Sequence, residues 1–284
     1  MLKSLKDCFK LYNGIEIPCV GYGTYLTPNG KTAVDSVKEA ICLGYRHIDT
    51  AAAYENEKSV GKAIKECGID RKDLFITSKL WNSDQGYDST LKAFDKTMSD
   101  LNLEYLDLYL IHWPIAKGHE NDWQIMNRET WRAFEKLYDQ GKIRAIGVSN
   151  FKPHHIDSLM QTAKIAPMVN QIELHPGMNQ NETVAYCNQH NILVEAWGPF
   201  SQGMLFGLDL LQAIAAKYKK TIAQVALRWH LQKGILPLPK SVTPSRIAEN
   251  ADIFDFTLSD SDMLYIDNLD GRIGSGLDSD ECAF

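Results

Sequence analysis

Four residues of the chain have the types and the spacing to move a proton onto an oxygen atom: Asp49, Tyr54, Lys79 and His112. Three of them close short apolar runs: Asp49 in "RHIDT" (46–50), Lys79 in "LFITSKL" (74–80) and His112 in "YLDLYLIHW" (105–113). Tyr54 follows Asp49 in the next loop. A free tyrosine ionises near pH ~10 and is a poor acid-base catalyst at neutral pH. An ammonium beside it favours the phenolate and lowers that value, and an aspartate paired with the lysine keeps the ammonium charged and oriented. A neighbouring histidine can hydrogen-bond a carbonyl oxygen. Together the four suit protonation of an oxygen on which negative charge is developing. Taken singly, Asp49 could cap a helix, Lys79 and Tyr54 could be rim residues and His112 a core histidine; their recurrence on consecutive units favours a joint role. The chain carries no Ser-His-Asp grouping or GxSxG elbow, so acyl transfer is not indicated.

Eight β-rich runs position these residues: 19–24, 46–50, 74–80, 105–113, 143–149, 168–173, 192–197 and 235–240. Most are followed by a helical pattern, at spacings that suit a strand-helix unit. In "EKSVGKAIKECG" the residues Val60, Ala63, Ile64 and Cys67 keep helical spacing up to Gly68. "TWRAFEKLYDQG" does the same with Trp131, Phe134, Leu137 and Tyr138, and "TIAQVALRWHLQKG" with Ile222, Val225, Ala226 and Trp229. Apolar strands alternating with helices imply a parallel sheet covered by helices. Eight units over 284 residues point to a (β/α)8 barrel, the TIM-barrel class of α/β fold. "FKLYNGIEIP" reads as an N-terminal hairpin about Asn13-Gly14 that closes the bottom of the barrel. No linker or composition shift interrupts the chain, so residues 1–284 are read as one domain.

Composition narrows the function. With 44% hydrophobic and 23% charged residues, and no run approaching the ~18 apolar residues of a membrane span, the chain reads as an ordinary globular protein. A secretory signal is not expected at its N-terminus, nor a prenylation box at Cys282. The six cysteines are scattered without a CxxC pair, which fits reduced thiols in the cytoplasm better than a disulfide scaffold. A formal charge of −6 without a basic stripe argues against nucleic-acid binding. No metal is expected: His154 and His155 are adjacent at a helix start, so their side chains should diverge, with no acidic cluster beside them.

The four residues supply a proton but no electrons, so a cofactor is needed. "GYGT" (21–24) lacks the last glycine of a dinucleotide fingerprint. A better phosphate candidate is "LPKSVTPSRIAEN" (238–250), after the last strand, where TIM barrels often bind phosphate near a helix N-terminus. There Lys240 and Arg246 offer charge, Ser241 a hydroxyl, and Thr243-Pro244 a helix start with proline at its first position.

The stretches "GYRHIDTAAAYENE", "SKLW", "LIHWP", "IGVSNF", "NQIELHP" and "LPKSVTPSRIAEN" occur in the order and spacing of the aldo-keto reductases, and the chain resembles that family from about Leu11 to Asn250. The resemblance implies reduction of a small-molecule aldehyde or ketone with NADPH, in a (β/α)8 barrel without metal or flavin; the chain is expected to be cytoplasmic and a monomer. Carried over residue by residue, it makes Tyr54 the general acid, Asp49 and Lys79 its tuning partners and His112 the group that orients the carbonyl. Ser149, Asn150 and Gln171 resemble the holders of the nicotinamide carboxamide. Lys240, Ser241 and Arg246 resemble a 2′-phosphate clamp, Glu249 and Asn250 the adenine contacts, and Gly23, Thr24 and Tyr25 the turn beneath cofactor and substrate. Two departures stand out. Trp197 occupies the place of a nicotinamide-stacking tyrosine, and the segment after it, "SQGMLFGLDLLQAI", is too short for a loop folded over the pyrophosphate. This short-loop pattern is similar to diketogluconate-reductase-like and prostaglandin-F-synthase-like proteins.

Tyr25, Tyr54, Trp81, His112 and Trp113, with Trp123, are expected to line an aromatic substrate pocket. The segments 114–127 and 270–284 are expected to set specificity. Two other readings compete: an NADPH-binding redox sensor without turnover, and a barrel in which Lys240 and Arg246 grip a phosphorylated sugar.

Overall fold

The computed structural model describes residues 2–271 and 273–281; the expectation about Cys282 lies outside them. The hairpin comes first, with β1 (Cys8–Lys10) antiparallel to β2 (Glu16–Pro18). Its loop is longer than the two residues Asn13-Gly14: Leu11 N–H donates to Ile15 O, and Gly14 takes φ +88°, a conformation that favours glycine. Ile17 is fully buried, and Asn13 donates to the carbonyl of Arg144, near the start of a barrel strand. The hairpin therefore sits under the N-terminal end of the barrel, as its sequence implies.

Eight parallel strands follow: β3 (Gly21–Gly23), β4 (His47–Asp49), β5 (Phe75–Leu80), β6 (Leu106–Ile111), β7 (Ile143–Ser149), β8 (Val169–Glu173), β9 (Leu193–Trp197) and β10 (Leu236–Pro237). They pair in sequence order, which makes this a (β/α)8 barrel. β5 and β6 are buried along their whole length, as strands covered on both faces should be. The stretch expected as a strand at 235–240 keeps only two ladder residues, because Pro237 and Pro239 have no N–H to donate. The seam is closed instead by one backbone bond, Gly23 N–H to Pro239 O at 3.0 Å. Gly21 permits that approach, since a Cβ there would lie 2.4 Å from Leu238 and 2.7 Å from His47.

Helices pack around the sheet: α1 (Lys31–Cys42), α2 (Glu57–Glu66), α3 (Tyr87–Leu101), α4 (Trp123–Asp139), α5 (Pro153–Met160), α6 (Asn181–Gln189), α7 (Asp209–Tyr218), α8 (Ile222–Gln232), α9 (Pro244–Ala251) and α10 (Asp260–Asp267). α2 buries Val60, Ala63 and Ile64; α4 buries Trp131, Phe134 and Leu137. α8 begins with a capping box, Thr221 accepting from Gln224 N–H while the Gln224 side chain accepts from Thr221 N–H. α9 begins with Pro244 at its first position, as the sequence predicts. No helix among the described residues is long and apolar enough to cross a membrane.

Candidate active site

Strand register raises three polar side chains to the C-terminal mouth of the barrel. Asp49 pairs with Thr77, Lys79 lies two residues further along the same face of β5 and pairs with Leu110, and His112 stands two residues beyond Leu110. Tyr54 closes a short 3₁₀ turn (Ala52–Tyr54) after β4. Thr24 and Asn56 hold this turn against the neighbouring loop. The Thr24 hydroxyl donates to Asp49 O, and Asn56 donates to the carbonyls of Thr24 and Thr27 while accepting from the Thr50 hydroxyl.

The Lys79 ammonium, fully buried, is the hub. It donates to Asp49 Oδ1 at 2.6 Å, to Thr50 O at 3.0 Å and to the Tyr54 hydroxyl at 3.3 Å. Three donors meet three acceptors, which accounts for a cation with no water contact. Burial works against the ammonium, but Asp49 and Tyr54 outweigh it and hold the lysine above its ordinary pKa. For Tyr54 the balance differs from the lowered value expected from its neighbours. Burial pushes the phenol up to about 12, and the Lys79 charge only offsets part of that rise. The protein's own groups therefore keep Tyr54 a neutral phenol near pH 7. His112 is neutral as well: burial, aided by the Lys79 charge, holds it well below the usual imidazole value, and its Nδ1 is buried without a partner.

β7, β8 and β9 complete the mouth. Gln171 on β8 spends both amide N–H groups on carboxyls, Asp49 Oδ2 at 2.9 Å and Glu195 Oε2 at 2.8 Å. Ser149 donates to Gln171 O. Asn150, at φ +62°, donates to His112 O and Ser149 Oγ and accepts from the Trp197 indole N–H at 2.7 Å. The structure thus gathers Asp49, Tyr54, Lys79, His112, Ser149, Asn150, Gln171 and Trp197 at one place.

The remaining expected residues extend from this mouth towards α9. Gly23 stands at the seam beside Lys240, its N–H committed to Pro239 O, and Thr24 is committed to Asp49; Tyr25 is half exposed with its ring 5.1 Å from that of Tyr54. Lys240 donates to Leu26 O at 3.3 Å, and partial burial lowers its pKa from the ordinary value. Neither Lys240 nor Arg246 forms an ion pair among the described residues. Ser241 accepts through its hydroxyl from Thr243 N–H; Glu249 accepts from the Thr221 hydroxyl, and Asn250 is buried on α9. The loop after Trp197 is a short turn (Ser201–Gly207) in which the Ser201 hydroxyl is buried without a partner. Two cations lacking counter-ions and an orphaned buried hydroxyl are a donor set that suits an anionic cofactor.

Trp81 and Tyr54 pack edge-on to His112, with ring centroids 5.2 and 5.8 Å away. Trp113, Asn150, Trp197, Met178 and Leu277 line a cavity of about 190 Å³. Of the residues expected to line a substrate pocket, Trp113 is among its walls, whereas Tyr25, Tyr54, Trp81, His112 and Trp123 are not; Trp123 packs edge-on to His155 at 4.9 Å. From the C-terminal segment, Leu277, Asp278 and Ser279 reach this cavity. Ser275 donates to both oxygens of Glu173, and Lys152 bonds Asp278 and Asp280.

One expectation fails here. His154 and His155 do not diverge: their rings lie 4.0 Å apart, and Asp280 approaches both Nε2 atoms at 2.9 and 3.0 Å. α5 opens with a backbone turn in which His155 Nδ1 accepts from Lys152 N–H. That bond leaves Nε2 as the protonated nitrogen, 3.0 Å from Asp280 but without a hydrogen bond to it, and the Lys152 ammonium is shared between Asp278 and Asp280. The acid that gathers these rings comes from 126 residues away.

Sequence reading missed Glu195, Asn56 and the Asp278–Asp280 pair. Glu195 had a local signal, an acid inside the apolar run "ILVEAW"; the other residues had none.

Residues 20–271 match the aldo/keto reductase family. A glyoxal reductase from Bacillus subtilis is 54% identical over 280 residues, covering 98% of this chain and 99% of its own. A 9,11-endoperoxide prostaglandin H2 reductase from Trypanosoma cruzi is 46% identical over 278 residues, covering 96% and 95%. A solved structure of a Gox0644 mutant in complex with NADPH superposes with a TM-score of 0.91 at 39% identity, covering 100% of both chains.

Proposed function

The chain belongs to the aldo-keto reductase family, and from that premise we propose that it reduces an aldehyde or ketone to the alcohol with NADPH, Tyr54 serving as general acid. The observation that carries this reading is the buried Lys79 ammonium held between Asp49 and the Tyr54 hydroxyl.

When bound, NADPH supplies the hydride. Lys240, Ser241 and Arg246 would hold its 2′-phosphate, Glu249 and Asn250 its adenine, and Gly23, Thr24 and Tyr25 the underside of the groove. Ser149, Asn150 and Gln171 would hold the carboxamide. Because both Gln171 N–H groups are taken, that residue offers the carboxamide its Oε1 as acceptor. Trp197 presents a broad aromatic face at the same place.

Tyr54 then donates its proton to the carbonyl oxygen as charge develops there. A phenol near 12 is still far more acidic than an alcohol, whose pKa is comparable to the ~16 of water, so the transfer is downhill. Lys79 stabilises the phenolate left behind, and Asp49 keeps Lys79 from drifting. His112, neutral, would fix the oxygen by donating its ring N–H. Tyr25, Trp81 and Trp113 exclude water around that point. The proposal takes residues 1–284 as one monomeric catalytic domain in the cytoplasm, supported by the continuous eight-stranded sheet and by the five cysteines among the described residues, all free.

Following NADPH absorbance with a panel of carbonyl compounds, from glyoxal to nitrobenzaldehyde, tests the reading. NADPH-dependent loss of absorbance with at least one of them supports it; binding of NADPH without oxidation by any of them defeats it.

A further inference from the structure

We infer that Glu195 is a positioning residue of the reaction: its carboxyl fixes the Gln171 amide and, through it, the Asp49–Lys79–Tyr54 chain. The inference rests on the reading of Tyr54 as general acid. Strand register sets Glu195 directly beside Gln171, and both are buried in the barrel. A continuous line of contacts runs from Glu195 Oε2 to Gln171 Nε2 (2.8 Å), to Asp49 Oδ2 (2.9 Å), and from Asp49 Oδ1 to Lys79 Nζ (2.6 Å) and the Tyr54 hydroxyl (3.3 Å).

Charge decides the form in which Glu195 acts. Two carboxyls share one amide nitrogen, yet one ammonium serves them, and it bonds Asp49. A second ionised carboxylate would be unpaired at zero exposure, a costly arrangement. Glu195 Oε1 has no hydrogen-bond partner among the described residues, and an orphaned neutral hydroxyl costs less than an orphaned charge, so the proton sits on Oε1 while Oε2 accepts from Gln171. Burial and the charge of Asp49 push the pKa of Glu195 up to about 8. The charged groups acting on it are Asp49 from β4 and Lys79 from β5. Its strand neighbours, Gln171 on β8 and Leu236 on β10, do not titrate, and burial keeps His47 on β4 neutral.

With Glu195 neutral, Asp49 is the one carboxylate that offsets the Lys79 charge acting on Tyr54. Ionisation would add negative charge behind Asp49, strengthen the hold on the phenol's proton and slow its donation.

The test is a pair of variants read in two ways. E195L removes the acceptor and lowers kcat roughly tenfold to a hundredfold, the scale of a catalytic group displaced by a fraction of an ångström to an ångström. E195Q, which offers an oxygen to Gln171 and cannot ionise, restores most of that loss. It also moves the alkaline limb of kcat/KM, expected near pH 8 in the unsubstituted protein, to higher pH. The second reading is thermal. A carboxyl whose folded pKa exceeds its unfolded one stabilises fully below the unfolded value and loses that stability as pH rises through the folded value. The Tm of E195Q should therefore gain on that of the unsubstituted protein between about pH 5 and 9. A pH-independent Tm difference overturns the neutral carboxyl. A changing Tm difference with superimposable pH-rate profiles overturns the positioning role. Absence of turnover in the unsubstituted protein would instead count against the general-acid reading, and the Tm comparison would still judge Glu195.

Discussion

The two ends of the groove along the barrel mouth are built on different principles. At the Tyr54 end, a fully buried cation has every donor matched, and the carboxyl it bonds is itself held by an amide. At the Arg246 end, charges are exposed or half-exposed and lack counter-ions among the described residues. Fixed dipoles at a reacting centre cost nothing to reorganise when charge develops. Groups that only anchor a ligand can stay solvated until it arrives and need no such network. The first end therefore couples function to folding stability, and the second should not.

The largest effect expected from this contrast is at Lys79. Lys79→Met leaves Asp49 buried without its cation and should cost about 3–5 kcal/mol of stability by denaturant titration. Turnover should fall on the order of 100-fold or more. A loss below about 1 kcal/mol would erase the distinction between the two ends.

Arg246→Ala should do the reverse, leaving stability within about 0.5 kcal/mol while raising the Kd for NADPH roughly tenfold or more. The Kd for NADH should barely move; equal weakening of both would remove the phosphate role.

Trp197→Phe sharpens the comparison at the boundary. It keeps an aromatic face but removes the indole N–H that bonds Asn150, a contact worth about 0.5–1.5 kcal/mol. NADPH binding, read by titration calorimetry, should weaken a few-fold with little change in kcat.

The smallest effect belongs to the C-terminal segment. Burial opposes the charge on Asp280, but Lys152 and His155 prevail and hold the carboxyl below its ordinary pKa. Its contribution is therefore present above the unfolded value near ~4 and lost as pH falls. Both partners of the Lys152 pair are partly exposed, so Asp280→Asn should cost at most about 1 kcal/mol, less at high salt. The change should register as a raised KM for the carbonyl, because the neighbouring Leu277 and Asp278 line the cavity.

How far the sequence reveals this arrangement depends on whether a feature is local. Strand-helix alternation and apolar runs define the eight strands, and polar residues closing those runs mark Asp49, Lys79 and His112. The last strand is shorter than its apolar run because Pro237 and Pro239 cannot complete a ladder. The Tyr54 phenol shows the next limit. Its charged neighbours are visible in the sequence, but burial acts more strongly than they do, and burial belongs to the fold. The His154–His155–Asp280 cluster shows the last: a 126-residue separation brings the acid to the rings, and no spacing rule anticipates it.

The central claim is that the Tyr54 hydroxyl gives its proton to the carbonyl oxygen. Mixing NADPH-loaded Tyr54→Phe protein with a carbonyl that the unsubstituted protein reduces, and following a single turnover, tests it most directly. The account predicts NADPH affinity within a few-fold of normal, read by quenching of tryptophan fluorescence, and no measurable oxidation of the bound cofactor. Oxidation at an undiminished rate would contradict it.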